Sequence, residues 1–421
     1  MSAPSTPPPQ DPVSERDYRF RETGIPSDSP SIVDSVHRYV ALKIEVAKLQ
    51  GAEELTILQH LASKAPQDAD SQFVVALLES FNHDGPNGRH LCLVLEPMGP
   101  SISSVLNASA EKIDLRNLQD IKYPRLSKQQ TKAILRNVLR GLRFLHSNGV
   151  VHGDLQSGNM LFAIRDLSSI GVEQLRQDQT RSEIDVLERA DGKVDKWAPK
   201  YLVVEEPLKD YVLPEPNQIV KIADMGGAFL ENDPPQSVVT PAALRAPESI
   251  LGCPLSCSID IWSLGCLIFE FLTNLPLFQL PLGNRDESLD DDHLIQLTDI
   301  IQPLPGSLLV KWPRATRYYG PDGERLSAQP WDFDGGEWSG GEDDEGYDEF
   351  DDLEEDELPM ERPGPPKPYD PLEKLFRDNK DEDIDEEEEK VIVSLLRSIL
   401  QHDPLKRPSA ADLLEHPWIK D

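Results

Sequence analysis

A chain of 421 residues with a formal charge of −33 and only 38% hydrophobic residues holds too little apolar bulk for one packed body of that length, so part of it must lie outside any core. The acidity argues against direct nucleic-acid binding, because phosphate would be repelled and no basic stripe counters it, and it favours a basic partner. Cys92, Cys253, Cys257 and Cys266 form one CxxxC and no second pair, which points to neither a zinc site nor a disulfide framework. No early stretch joins basic residues to an apolar run, and the longest apolar run, Ile259–Phe278, is broken by Asp260, Glu270 and Asn274. The expectation is a monomer of cytoplasm and nucleus with no membrane association, and a buried core helix for that run.

In chain order, residues 1–37 are rich in Pro, Ser and Asp and predict a disordered tail. YVALKI (39–44) predicts a strand and EELTILQHLA (53–62) a helix. FVVALLESF (73–81) and HLCLVLEPM (90–98) predict two strands separated by the turn HDGPNG (83–88). Helical spacing of apolar residues over 128–149, closed by Asn-Gly, predicts a long helix. Residues 331–389 predict an acidic, disordered insertion: in 341–357, 12 of 17 residues are acidic, and DEDIDEEEE follows at 381–389.

The chemistry concentrates further along. VVHGDLQSGNMLF (150–162) sets Asp154 five residues before Asn159 on one short loop between apolar runs. Phosphoryl transfer needs a carboxylate to orient the attacking hydroxyl and an amide oxygen to hold a magnesium ion in such a setting. Small-molecule phosphotransferases such as the aminoglycoside and choline kinases carry a similar HGDLxxGN loop, and that alternative stays open on this motif alone. VKIADMGGAF (220–229) then ends an apolar strand in Asp224-Met225-Gly226; LRAPESILG (244–252), SIDIWSLGCLIFEFLT (258–273) and HDPLKRPSAADLLEHPWI (402–419) follow.

These blocks in this order resemble the subdomains of eukaryotic protein kinases, a bilobal α+β fold with a small β-rich N-lobe and a larger helical C-lobe. The resemblance implies ATP and Mg2+ as cofactors, Asp154 as catalytic base, and Asn159 and Asp224 as metal ligands. It implies Lys43 of VALKI on the ATP phosphates and Glu54 as its helix partner. Glu96 and Met98 would offer backbone groups to adenine, with Leu95 as gatekeeper and Leu161 beneath the ring. Glu248 would pair with Arg407, and Asp260 would hold the catalytic-loop backbone. Gly153 in place of an arginine, the insertion 163–219, and Arg245 before Ala-Pro-Glu are similar to the serine/arginine-rich splicing-factor kinases of the CMGC group. Their substrates are basic Arg/Ser-rich proteins. The implied organisation is a partial N-lobe at 38–97 and a C-lobe at 98–421 interrupted by 163–219 and 331–389.

The chain departs from that pattern in three places. Only Gly24 precedes Lys43, so no Gly-rich loop is legible. Lys43 and Glu54 lie eleven residues apart, which predicts a shortened helix or a tight loop before it. Gln156 stands where most serine/threonine kinases have a lysine that offsets the charge of the transferring phosphate. A pseudokinase or truncated isoform that binds Arg/Ser-rich partners without turnover is therefore the alternative.

Overall fold

The computed structural model describes residues 39–46, 52–85, 88–107, 125–175, 184–186, 201–203, 208–280, 287–326 and 368–420. The expected tail and the core of the acidic insertion lie outside them. Two compact units emerge, one of residues 1–121, 136–150 and 157–230, the other of 122–135, 151–156 and 231–421.

The first unit opens with strand β1 (Ala41–Ile44) and helix α1 (Ala52–Lys64), then β2 (Leu77–Gly85) and β3 (Gly88–Leu95). These strands form an antiparallel sheet in the order β1-β3-β2, with Lys43 opposite Leu93. Helix α1 has its full length of 13 residues, with Glu54 in the first turn beside the positive end of the helix dipole. The expected shortening of this helix is corrected; the residues that join it to β1 lie outside the described ones. Strand β2 begins at Leu77 rather than at Phe73, as the apolar run predicted. A 3-10 turn over Ala69–Phe73 precedes it, Val74 forms an isolated parallel bridge with Ile222, and the Val75 N–H donates to Ile222 O at 2.8 Å. Apolar residues there are buried, but on a different neighbour.

Strand β4 (Met98–Ser101) runs into α2 (Ile102–Asn107). Helix α3 (Lys128–Ser147) and strand β5 (Val150–Val151) contribute residues to both units. Strand β6 (Met160–Ala163), helix α4 (Val172–Leu175), the paired strands β7 (Ile184–Val186) and β8 (Tyr201–Val203), then β9 (Val220–Ile222) and β10 (Phe229–Leu230) complete the first unit. Its second main sheet is ordered β4-β6-β9. Gly141 of α3 is required by close approach: a Cβ there would meet the Phe73 carbonyl oxygen and Ile222 Cδ1 at 2.9 Å. Residues 73–75 and Gly141 of α3 thus lie against β9 within the first unit.

The second unit is mainly helical: α5 (Pro247–Ile250), α6 (Ser258–Thr273), α7 (Glu287–Gln296), α8 (Gly306–Leu309), α9 (Ala315–Tyr318), α10 (Leu372–Asn379), α11 (Glu386–Ile399), α12 (Ala410–Leu414) and α13 (Pro417–Lys420). Helix α6 is the buried helix expected, and Asn274 in the left-handed region (φ 60°) ends it, its N–H donating to Glu270 O. Gly265 lets α11 close on α6, since a Cβ would lie 2.6 Å from Ile399 Cγ2.

The acidic insertion is corrected at its end. From residue 368 the chain is folded: Leu372 and Phe376 of α10 are fully buried, and Phe376 meets Phe269 edge-on at 6.1 Å. The acidic run 381–389 supplies the start of α11, where Asp385 accepts from the Glu387 and Glu388 N–H groups. Four glutamates occupy the first turn, where the dipole favours negative charge, and Ile392, Leu395, Leu396 and Ile399 face inward at helical spacing.

Candidate active site

The first unit assembles a lysine among carboxylates. Lys43 Nζ lies 2.9 and 2.7 Å from the two Glu54 oxygens, 3.1 Å from Asp224 Oδ1 and 3.5 Å from Glu45 Oε1. Burial alone would lower the Lys43 ammonium, but the carboxylates of Asp224 and Glu54 outweigh it and hold it above its usual range. Glu54 is pushed up to about 7 by burial, against the pull of Lys43 and with Asp224 and Glu45 adding to the rise.

Strand pairing sets the metal-ligand candidates side by side. Met160 pairs with Ile222, and one step on the Ala223 N–H donates to Asn159 O at 2.9 Å. Asn159 and Asp224 therefore leave adjacent ends of neighbouring strands. Asp224 adopts a left-handed backbone (φ 63°) and accepts from the Gly226 N–H. A Cβ on Gly226 would crowd Asp224 Oδ1 at 3.1 Å. One carboxylate and one amide oxygen are hard donors that suit Mg2+, which keeps its other positions for phosphate and water. Among the described residues no group of three or more His, Cys, Asp or Glu forms a denser metal cage.

Beyond β3, Leu95 is buried at the sheet's end, and Met98 pairs with Ala163 and Leu161 with Lys221. The Glu96 N–H donates to Ala76 O at 3.2 Å, so the backbone group left for a purine amino group is its carbonyl. Its carboxylate does work the sequence did not reveal. It accepts from the Ala76 N–H at 2.8 Å and from Lys221 Nζ at 2.8 and 2.7 Å, binding the hinge to β9. Asp70 is a second omission: buried, it accepts from Arg140 Nε at 2.8 Å and Arg143 Nε at 2.6 Å and ties the turn after α1 to α3. An isolated Asp or a Lys within an apolar strand leaves no local signal of such a partner.

The second unit holds Asp154, the residue expected as catalytic base. Asp260, at the start of α6, accepts from the His152 N–H at 2.8 Å and the Gly153 N–H at 2.9 Å. Gly153 has φ 70°, a conformation that costs a side-chain-bearing residue about 1–2 kcal/mol. Thr240 donates its hydroxyl to Gly153 O, and Arg245 Nε holds the Thr240 carbonyl at 2.8 Å. Sequence reasoning missed Thr240. Asp154, carried by this loop, receives Gln156 Nε2 at 2.9 Å from each of its oxygens. The expected Glu248–Arg407 pair forms as a buried fork, Nη1 to Oε1 at 2.5 Å and Nη2 to Oε2 at 2.8 Å. Arg407 also donates to Ser258 O and Gln401 O and stacks over Trp262.

Comparison with known proteins agrees with this geometry. The protein kinase domain family matches residues 34–172 and 209–419. The chain belongs to the protein kinase family. It is similar to the serine/threonine-protein kinase SRPK of Physarum polycephalum, 28% identical over 91% of this chain and 80% of that one. A serine/threonine protein kinase of Aspergillus fumigatus is 26% identical over 91% of this chain and 78% of its own. The serine/threonine-protein kinase SKY1 of Saccharomyces cerevisiae is 30% identical over 48% of this chain and 22% of its own. A solved kinase domain shares the fold at 21% identity and TM-score 0.54, covering 91% of this chain and 89% of that one. The chain is thus a member of the protein kinase family, similar in sequence to serine/threonine kinases named SRPK and SKY1, and the small-molecule alternative falls away.

Proposed function

We propose that the protein transfers the γ-phosphate of ATP to serine in basic, Arg/Ser-rich proteins. The observation that carries the reading is Lys43 bound at once by Glu54 and Asp224, since a lysine on the phosphates, its helix partner and a metal aspartate must be aligned for transfer. Lys43 would hold the nucleotide's phosphates, and Asn159 and Asp224 would hold Mg2+, which would supply positive charge against that of the phosphates. Asp154 accepts the serine hydroxyl proton as the new O–P bond forms and the bond to the bridging oxygen breaks, releasing ADP. The loop that carries it is fixed by Asp260 and Thr240. With glycine at 153, it offers no arginine for a phosphorylated activation segment to clamp. The substrate class rests on the SR-kinase type of the relatives and on the charge of −33, which attracts arginine-rich chains. The protein would act as a monomer in cytoplasm and nucleus without direct contact to nucleic acid.

One observation favours a second reading. Gln156 stands where most serine/threonine kinases carry a lysine whose charge offsets the transferring phosphate, and a neutral amide supplies none. On that reading the protein binds Arg/Ser-rich partners without turnover. Thermal shift separates the two: Mg-ATP should raise the melting temperature of the wild type and not of Asp224→Asn. No shift in the wild type would favour the binding protein.

A further inference from the structure

Gln156 departs from the kinase pattern in chemistry as well as in name. A lysine at this position has two duties: it steadies the catalytic aspartate, and its charge offsets the phosphoryl group in flight. The carboxamide keeps the first duty, since Nε2 sits 2.9 Å from both Asp154 oxygens. It cannot perform the second, because it carries no charge, and hydrogen bonds from ionised donors are roughly twice as strong as those from neutral ones. With Nε2 turned to Asp154, the carboxamide's remaining hydrogen-bonding group is its oxygen, an acceptor. A lysine at 156 would offer a cation there; this chain offers a group that receives one.

We propose that the substrate supplies the missing charge: a guanidinium next to the acceptor serine lodges at the Asp154–Gln156 pair, donating to the Gln156 oxygen and facing the phosphoryl group during transfer. This rests on the proposed Arg/Ser-directed kinase activity and turns a preference for arginine into part of the reaction. Arginine suits the task better than lysine, because its planar fork serves two acceptors at once and its charge is permanent. The guanidinium is unchanged by the step. The serine oxygen–phosphorus bond forms, the bond to the bridging oxygen breaks with its electron pair leaving on ADP, and the hydroxyl proton passes to Asp154. Gln156 is then a positioning residue that also sets specificity, making transfer to a serine without a cationic neighbour intrinsically slow.

The test uses the full chain and two peptides with one serine each. In the first, arginines flank the serine; in the second, those flanking residues are citrulline, the neutral near-isostere, while distant arginines are kept in both for docking. Nucleotide-free affinity is measured by calorimetry and turnover with Mg-ATP. The expected result is affinity equal within about threefold and a kcat about tenfold or more lower for the citrulline peptide, on the scale of losing one charge-stabilising group. Gln156→Lys should restore the citrulline peptide to within about threefold of the arginine peptide, because it returns the charge to the enzyme. Equal kcat for the two peptides in the wild type would overturn the proposal without touching the kinase reading. A loss confined to affinity would overturn it too, since it would place the arginines in docking alone. Binding of both peptides with no turnover of either, by the wild type or by Gln156→Lys, would overturn the kinase reading and this inference with it.

Discussion

Two ion pairs of the same chemical type occupy the two units and do opposite things. Glu248–Arg407 is closed: the fork is bidentate, its side chains are 2% and 0% exposed, and the guanidinium's other donors go to backbone carbonyls. Lys43–Glu54 is unbalanced, with one ammonium among Glu54, Asp224 and Glu45 and the lysine 17% exposed. The first is enclosed and holds position. The second keeps an excess of negative charge about a single cation, an arrangement that stores poor stability and good affinity for metal and phosphate together. A buried pair is weak evidence of net stabilisation, yet removing one partner strands the other.

Breaking the closed pair should therefore have the largest effect on folding. Arg407→Ala leaves Glu248 buried and uncompensated, and chemical denaturation should show a loss of about 3–5 kcal/mol. A loss below about 1 kcal/mol would mean that the fork is not the anchor described here. Lys43→Met tests the open pair and should act mainly on chemistry, lowering kcat/KM about 10²-fold or more. Its melting temperature should stay much closer to the wild type than that of Arg407→Ala. The comparison fails if the two variants lose stability equally.

Asp70 gives a smaller effect between these extremes. Its two arginine partners are 38% and 44% exposed and can rehydrate, so Asp70→Asn should cost about 1–3 kcal/mol, the range for disturbing one buried polar group. Because Asp70 ties down the turn that follows α1, faster hydrogen exchange should be confined to 65–76 and the end of α1. Exchange that spreads over the whole unit would assign Asp70 a global role instead.

The smallest and most diagnostic effect is on pH. A carboxyl whose folded value is raised favours the folded state below its unfolded value near 4.5, and that contribution is lost as pH rises through about 7. The ion pair with Lys43, by contrast, is complete only once Glu54 is ionised. Mg-ATP binding should thus strengthen as pH rises through about 7, while the stability of the wild type falls relative to Glu54→Gln over the same window. A pH-independent difference between the two proteins would remove the burial argument.

Most of this site was legible because kinases carry their chemistry in local order. Asp154 and Asn159 sit on one short loop whose residue types and spacing follow from what phosphoryl transfer requires, whereas Asp224, Glu248, Asp260 and Arg407 were placed by the resemblance of their blocks to kinase subdomains. The structure joins Glu248 to Arg407 across 159 residues of sequence, a contact only the resemblance could supply. The contacts that were not legible are tertiary and singular: Glu96 with Lys221, Asp70 with two arginines, Gln156 turned back on Asp154. None repeats along the chain or alters its periodicity. The misread acidic run has a different cause. Composition treats all nine residues of DEDIDEEEE as solvated, whereas position makes the last five, Asp385 to Glu389, the N-cap and first turn of a helix whose apolar face begins just beyond.

Transfer of labelled phosphate from Mg-ATP to an Arg/Ser-repeat peptide, by the wild type and Asp154→Asn in parallel with both melting temperatures recorded, tests whether the protein is an active kinase. The expected result is transfer by the wild type that falls by about 10²–10⁴-fold in the variant, at an unchanged melting temperature. A wild type that binds peptide and Mg-ATP but transfers nothing would contradict kinase activity.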